Sequence, residues 1–242
     1  MVVVAKFGGS SVANSEQFKK VKQIVTSNPS RKVVVVSALG KKNSEDSKIT
    51  DLLYLLHAHL KYNVSYSPVW EMIKNRFNQV KKDLDLKIDI NQELLLLEKE
   101  LTKEISVDYL VSRGEYLTSK LMAEYLNYTF VDASDIIKFN YDGTVDQEKT
   151  YALTLEAVEK YNNVVIPGFY GTYPNNTVKT FSRGGSDITG ALVARGINAT
   201  EYENWTDVSG VLIADPRIIK GAKSIKEITY SELRELSYMW FL

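Results

Sequence analysis

Two glycine turns hold the residues best equipped for chemistry. Lys6-Phe7-Gly8-Gly9-Ser10-Ser11 offers backbone N–H groups unshielded by side chains, two hydroxyls and one lysine, which are the parts of an anion cradle. Its spacing fits neither the Walker A loop nor the six-residue dinucleotide fingerprint, and a plain tight turn explains this motif equally well on its own. Arg183-Gly184-Gly185-Ser186-Asp187 repeats the theme ahead of a helix, where Ser186 or Asp187 would also serve as a simple helix cap. Together the two turns set Lys6, Arg183 and Asp187 on loops of a kind that face phosphates and carboxylates. Ser112-Arg113-Gly114-Glu115 reads as a third glycine turn into a helix, and Glu115 in a first turn is ordinary helix-dipole chemistry. Trp205-Thr206-Asp207-Val208-Ser209-Gly210 and Ala214-Asp215-Pro216-Arg217 follow a strand, and an Asx-type turn accounts for most of that pattern. His57 and His59 stand two apart on a helical segment and so point to different sides.

The elements around these turns read as alternating strands and helices. Val2–Ala5 is a β-branched run feeding the first glycine turn. Asn14 with Gln17 three residues on predicts a helix start, and Phe18, Val21 and Val25 supply its apolar face. Val33–Val36 is a second apolar run, so the segment is a βαβ unit with parallel strands. Strand signals vanish from about residue 50 to 105, where Ile90, Leu94, Leu97, Leu101 and Ile105 recur at helical spacing and predict a helical insertion. Helices are then expected over Glu115–Leu126, Glu148–Lys160, Ile188–Arg195 and Tyr230–Tyr238. Strands are expected over Thr129–Val131, Val164–Ile166 and Thr200–Trp205, with a long polar turn region after Pro167-Gly168. This pattern is an α/β fold with helices on both faces of a sheet, and ligands gather at the carboxyl ends of strands in such sheets.

Composition narrows the classes of function. The chain has 242 residues, 44% hydrophobic and 25% charged, an ordinary globular balance that argues against wholesale disorder. Thirty Lys and Arg balance thirty Asp and Glu, without a basic arm for nucleic acid. The absence of cysteine excludes disulfides, thiolate zinc sites and thiol catalysis. Aliphatic runs such as Leu94–Leu97 are far too short to span a bilayer, and the first residues lack a secretory pattern. The expectation is a cytoplasmic protein that engages neither membrane nor nucleic acid.

Taken together, Val4-Ala5-Lys6-Phe7-Gly8-Gly9-Ser10-Ser11 resembles the signature of the aspartate kinases, within the amino acid kinase family. The resemblance continues through Val36-Ser37-Ala38, Ile49-Thr50-Asp51, Ser112–Glu115, Phe181–Asp187, Trp205-Thr206-Asp207-Val208 and Asp215-Pro216-Arg217. It implies a three-layer α/β/α sandwich with a mainly parallel sheet, and transfer of the ATP γ-phosphoryl group, with Mg²⁺, to the side-chain carboxylate of L-aspartate. The product would be 4-phospho-L-aspartate, the first step of the lysine, threonine and methionine branch of amino-acid biosynthesis, and the expected assembly is a homodimer. In that picture Lys6, Gly8, Gly9 and Ser10 meet the phosphates, and Thr206, Asp207 and Arg217 lie on the nucleotide side. Ser37, Thr50, Glu115, Arg183, Gly184, Gly185 and Ser186 hold the amino acid.

Free aspartate carries two carboxylates and one ammonium, so its site needs a cation and an anion. Arg183 can grip a carboxylate bidentately and Glu115 can pair with the ammonium. The acceptor carboxylate, with an ordinary pKa of about 3.9, is already ionised at neutral pH. Asp187 is therefore expected to orient Lys6 or to hold a Mg²⁺-bound water rather than to act as a base. The metal ligands themselves are unassigned.

Two features depart from the family pattern. Leu212 stands where an aromatic residue is usual, and the end Ser237-Tyr238-Met239-Trp240-Phe241-Leu242 replaces the family's continuation. The expected organisation is a catalytic domain over 1–242, incomplete at its C-terminus and without ACT regulatory domains. The helical insertion resembles that of the monofunctional, lysine-sensitive branch. Two alternatives accompany this reading. One is a sister kinase for glutamate, N-acetylglutamate or a nucleoside monophosphate, of which the acetylated acceptor lacks the ammonium that Glu115 would meet. The other is an inactive nucleotide-binding or partner-dependent fragment.

Overall fold

A computed structural model of the chain describes residues 1–206 and positions 210, 219, 221, 223–229, 231, 232 and 235. Asp207, Val208, Leu212, Asp215, Pro216, Arg217 and the closing segment 236–242 lie outside the described residues, as does much of the expected helix Tyr230–Tyr238. The chain divides into two compact units, Met1–Trp205 and Thr206–Leu242. In the second unit, the Thr229 N–H donates to Glu232 Oε2 at 2.8 Å and the Glu232 N–H donates to Thr229 Oγ1 at 3.3 Å. This is a capping box at the start of the helical residues 231 and 232.

The first unit runs β1 (Val3–Phe7), a 3-10 turn (Gly9–Val12), α1 (Ser15–Thr26), β2 (Arg31–Val36), α2 (Ile49–Lys61), α3 (Ser67–Asp83), α4 (Ile90–Lys99) and α5 (Val107–Leu126). It continues with β3 (Thr129–Phe130), α6 (Ala133–Ile136), α7 (Gln147–Tyr161), β4 (Val164–Pro167), β5 (Tyr170–Thr172), β6 (Val178–Thr180), α8 (Gly185–Gly196) and β7 (Glu201–Trp205). Five strands form a parallel sheet in the order β3-β4-β2-β1-β7, and β5 and β6 pair as an antiparallel ribbon.

Both faces of the sheet are covered, which is why the interior strands β1, β2 and β4 carry near-continuous apolar runs rather than alternating ones. Ala5, Phe7, Val34, Val36 and Val165 face one core with α1 through α5, anchored by Phe18, Leu56, Trp70, Phe77 and Leu121. Val4, Val33, Val35, Val164 and Ile166 face the other, with Ile136, Val158 and Val193 of α6, α7 and α8. The result is a three-layer α/β/α sandwich. Each fully buried Val or Ile contributes roughly 1.5–3 kcal/mol, so the valines of β1 and β2 alone hold these strands at the centre.

Several boundaries differ from the sequence reading. The stripe from Ile90 predicts a helix reaching Ile105, but α4 stops at Lys99. Leu101 is buried from a turn, through Leu101 N–H to the Glu98 carbonyl, so its burial is not helical. The polar region after Gly168 holds the β5–β6 ribbon. Helix α5 begins at Val107, with Ser106 as its cap, not at Glu115. Glu115 therefore sits in mid-helix, and the helix-dipole reading of it fails. Among the described residues no helix is long and apolar enough to cross a membrane.

Candidate active site

Lys6 enters the site because β1 carries it at the carboxyl end of the sheet's central region, beside Val35 of β2 and Asn204 of β7. Its side chain is buried, and Nζ lies 2.7 Å from Oδ1 of Asp187, which is half-exposed in the first turn of α8. Asn204 donates to the same Oδ1 at 3.0 Å, and the Tyr202 hydroxyl donates to the Asp187 carbonyl at 3.2 Å. Two alternate residues of β7 thus hold Asp187, Asn204 by its carboxylate and Tyr202 by its main-chain carbonyl. Burial, with Asp187 adding to it, raises the Tyr202 phenol above the ordinary range, which keeps it a donor.

The turn after β1 is tied down at both ends. The Gly8 N–H and the Ser11 hydroxyl both donate to the Trp205 carbonyl, at 3.2 and 3.3 Å. The Gly40 N–H donates to the Gly9 carbonyl at 2.9 Å, and a side chain at Gly40 would collide with Gly9 and Ser10 backbone. This contact fuses the turn after β1 to the turn after β2, which begins at half-buried Ser37. Thr50 is the second residue of α2, whose first residue Ile49 is held by its N–H to the Leu39 carbonyl.

Glu115 reaches the same end of the sheet from α5. Gly114 lets the helix approach, since a Cβ there would lie 2.9 Å from Cβ of Ala38. Burial pushes the Glu115 carboxyl up to about 8, partly opposed by the Ala38 backbone and by the charge of Arg113. Its Oε2 is buried without a hydrogen-bond partner. An unpaired buried carboxylate oxygen is costly unless the site awaits a donor.

The second glycine turn closes the site. Gly184 adopts φ +56 and precedes α8 without any side-chain cap, so neither Ser186 nor Asp187 serves as one. Gly185 and Ser186 are buried, and Ser186 packs where a side chain on Gly168 would sit. Gly168 is bound through its N–H to the Val36 carbonyl, which draws the start of α8 to the ends of β2 and β4. Arg183 is exposed and has no ion-pair partner among the described residues. The structure thus brings Lys6, Gly8, Gly9, Ser10, Ser37, Glu115, Ser186 and Asp187 to one end of the sheet, with Thr50, Arg183 and Gly184 on the loops and helix start that border it. Thr206 opens the second unit, while Asp207 and Arg217 fall outside the described residues.

Sequence reasoning missed Asn204 and Phe169. Asn204 becomes visible only once β7 is registered on β1. Phe169 holds φ +81, a strained value for an aromatic residue, with its N–H bonded to Thr189 Oγ1 at 3.1 Å and its ring against Gly185. The Pro167-Gly168 pair before it was the only available signal.

Residues 1–239 match the model of the amino acid kinase family. Aspartokinase 3 of Bacillus subtilis is 38% identical over 98% of this chain and 56% of its own length. Aspartokinase 2, chloroplastic, of Arabidopsis thaliana is 30% identical over 98% of this chain and 48% of its own. The chain thus spans about half the length of the curated relatives it matches. Among solved structures, aspartate kinase of Clostridium acetobutylicum superposes with a TM-score of 0.93 at 50% identity, over 98% of this chain and 55% of that one. E. coli aspartokinase III in complex with aspartate and ADP superposes with a TM-score of 0.84 at 28% identity, over 98% and 56%.

Proposed function

The chain belongs to the amino acid kinase family, and from that premise we propose that it transfers the γ-phosphoryl group of ATP to the side-chain carboxylate of L-aspartate. The observation that carries this reading is the buried Glu115 oxygen without a partner, set across the same strand ends from the Lys6–Asp187 pair. An acceptor with a free ammonium answers Glu115, which favours aspartate or glutamate over an acetylated amino acid. The aspartokinase relatives, one of them solved with aspartate and ADP, favour aspartate.

In this reading the phosphates lie over Gly8, Gly9 and Ser10, and the Lys6 ammonium neutralises charge on the transferring group. Thr206, Asp207 and Arg217 serve the nucleotide. Arg183 binds a carboxylate of aspartate in a planar fork, and Ser37, Thr50, Gly184, Gly185 and Ser186 complete the pocket. A side-chain carboxylate oxygen of aspartate forms the new P–O bond as the bond to the β-phosphate oxygen breaks, and ADP leaves. No base is needed, because the acceptor is already ionised.

Mg²⁺ fits the donors present. Among the described residues no three acidic or histidine side chains form a cage. Mg²⁺ beside a nucleotide usually needs only one or two carboxylates, with phosphates and water supplying the rest. Asp187 suits that role, because Oδ1 is committed to Lys6 and Asn204 while Oδ2 accepts no hydrogen bond from a described residue. The ion would supply charge neutralisation on the phosphates.

Trapping the acyl phosphate with hydroxylamine tests the proposal. The chain is incubated with MgATP and L-aspartate, and with L-glutamate and N-acetylglutamate as parallel acceptors. Aspartyl hydroxamate formed with aspartate alone is the expected result. A folded, ATP-binding chain that yields no hydroxamate would be a nucleotide-binding or partner-dependent fragment.

A further inference from the structure

Arg76 lies in α3, in a helical segment that supplies none of the candidate site's residues, yet its guanidinium serves three segments that do. Nη2 donates to the Gly40 carbonyl at 2.6 Å and to the Ala13 carbonyl at 3.2 Å. Nη1 donates to the Ser47 carbonyl at 2.9 Å and pairs with Asp46 at 2.7 Å. Ala13 closes the turn that starts at Gly8, Gly40 closes the turn that starts at Ser37, and Ser47 leads into α2 and Thr50.

The chemistry of this cluster exceeds what packing needs. Arg76 is 7% exposed, and its Nε is buried without a partner, a cost that an apolar residue of similar volume would avoid. Three of the four acceptors are main-chain carbonyls, so the cation fixes backbone positions as well as pairing with Asp46. Only a planar fork can reach Gly40 and Ala13 with one nitrogen while the next holds Ser47 and Asp46; an ammonium lacks that geometry. The Gly9–Gly40 contact then passes the restraint into the turn over which the phosphates would lie.

We propose that Arg76 is a positioning residue that locks the phosphate-side turn and the acceptor-side turn into a single arrangement. The step it serves rests on the phosphotransfer reading above; the lock itself does not. Misplacement of reacting groups by about 1 Å can cost on the order of a hundredfold in rate, so the lock should be visible in turnover.

The test compares the full chain with Arg76→Met, Arg76→Lys and Asp46→Asn by amide hydrogen exchange and by initial rates of acyl-phosphate formation. Arg76→Met is expected to speed exchange in both 9–14 and 38–49 while α7 keeps its protection. Its kcat should fall at least about tenfold, with the KM for ATP within about twofold of the unaltered chain and less than about half of the lost rate restored by Arg76→Lys. Asp46→Asn, which weakens both the rim pair with Arg76 and the bond that Asp46 accepts from the Lys42 N–H at 2.9 Å, should loosen 41–48 alone. Native exchange in both turns of a folded Arg76→Met chain would overturn the proposal, as would a uniform rise through the molecule with unchanged kcat. If Arg76→Met does not fold, Arg76→Lys decides: faster exchange in both 9–14 and 38–49 supports the lock, and native exchange in both turns overturns it. Coupled loosening in a chain whose unaltered form makes no acyl phosphate would leave the lock standing and reject the phosphotransfer reading.

Discussion

The ammonium of Lys6 and the carboxylate of Asp187 stand 2.7 Å apart, with the lysine side chain 6% exposed and the aspartate 48% exposed. The pair is asymmetric: one partner has lost its water and the other has kept it. The buried ammonium has Asp187 as its counter-ion, whereas the Asp187 carboxylate keeps water beside Lys6.

That asymmetry separates stability from activity. Lys6→Met should leave the melting temperature equal or higher, because an apolar chain there needs no counter-ion, and should abolish hydroxamate formation. Asp187→Asn strands a buried cation and should destabilise by about 1–2 kcal/mol, below the ~3–5 of a fully buried pair because water still reaches this site. Its turnover should fall about 10- to 100-fold, or ~1.4–2.8 kcal/mol. Thermal melts and initial rates on the two variants check both halves.

Glu115 sets a pH dependence whose sign is fixed. Its carboxyl is raised from 4.5 to about 8 in the folded chain, so the native state holds a proton that the unfolded state has released. Stability from this group is full below the unfolded value and is lost as pH rises towards about 8, and Glu115→Gln should flatten that decline. Aspartate binding runs the other way, since its ammonium favours the ionised carboxylate. The KM for aspartate should fall about tenfold between pH ~6.5 and ~8.5, and the Gln variant should lose that dependence. An unchanged pH profile of KM in the variant would remove Glu115 from the ammonium site.

Gly114→Ala tests how closely α5 approaches the turn after β2. Helix propensity alone favours alanine by about 1 kcal/mol. The new methyl would meet Ala38 Cβ at 2.9 Å, Leu53 Cδ1 at 3.2 Å and Ile49 Cγ2 at 3.3 Å. Overpacking costs about 1–3 kcal/mol and should win, giving a lower urea midpoint and a weaker affinity for aspartate. A more stable variant would show that the gap can widen freely.

Arg183→Ala should act on binding only. Arg183 is exposed, so stability should change by no more than about 0.5 kcal/mol. The KM for aspartate should rise about 10- to 100-fold, while the KM for ATP stays put. An equal rise in both constants would place the arginine on the nucleotide instead.

Much of the architecture was legible because its causes are local. Asn14 accepts the Gln17 N–H, as the spacing predicts, and the valine runs become β1, β2 and β4. The glycine turns at Gly8 and Gly184 sit at a strand end and a helix start, as their flanking residues imply. What escaped depends on partners far along the chain. Gly114 reads as a turn until Ala38 is placed against it, which hides the first eight residues of α5. The strands of the β5–β6 ribbon have three residues each, too few to display an alternation. Asn204 acquires its role from the register of β7 on β1, which no local pattern encodes.

The placement of β1 between β2 and β7 also bears on how the chain folds. Its β2 neighbour arrives within one helix and forms a local βαβ unit, whereas the bond from Thr200 to the Val2 carbonyl spans 198 positions. Non-local pairing of this kind is slow, because the loop must close before any contact rewards it. The counter-ion of Lys6 and the strand that steadies it both come from beyond residue 184, so an early intermediate would carry a formed βαβ unit and an unfinished site. Refolding from denaturant should therefore regain helix signal well before Trp205 regains its stacking on Phe7, making the fluorescence of Trp205, isolated by Trp70→Phe and Trp240→Phe, a clock for completion of the sheet.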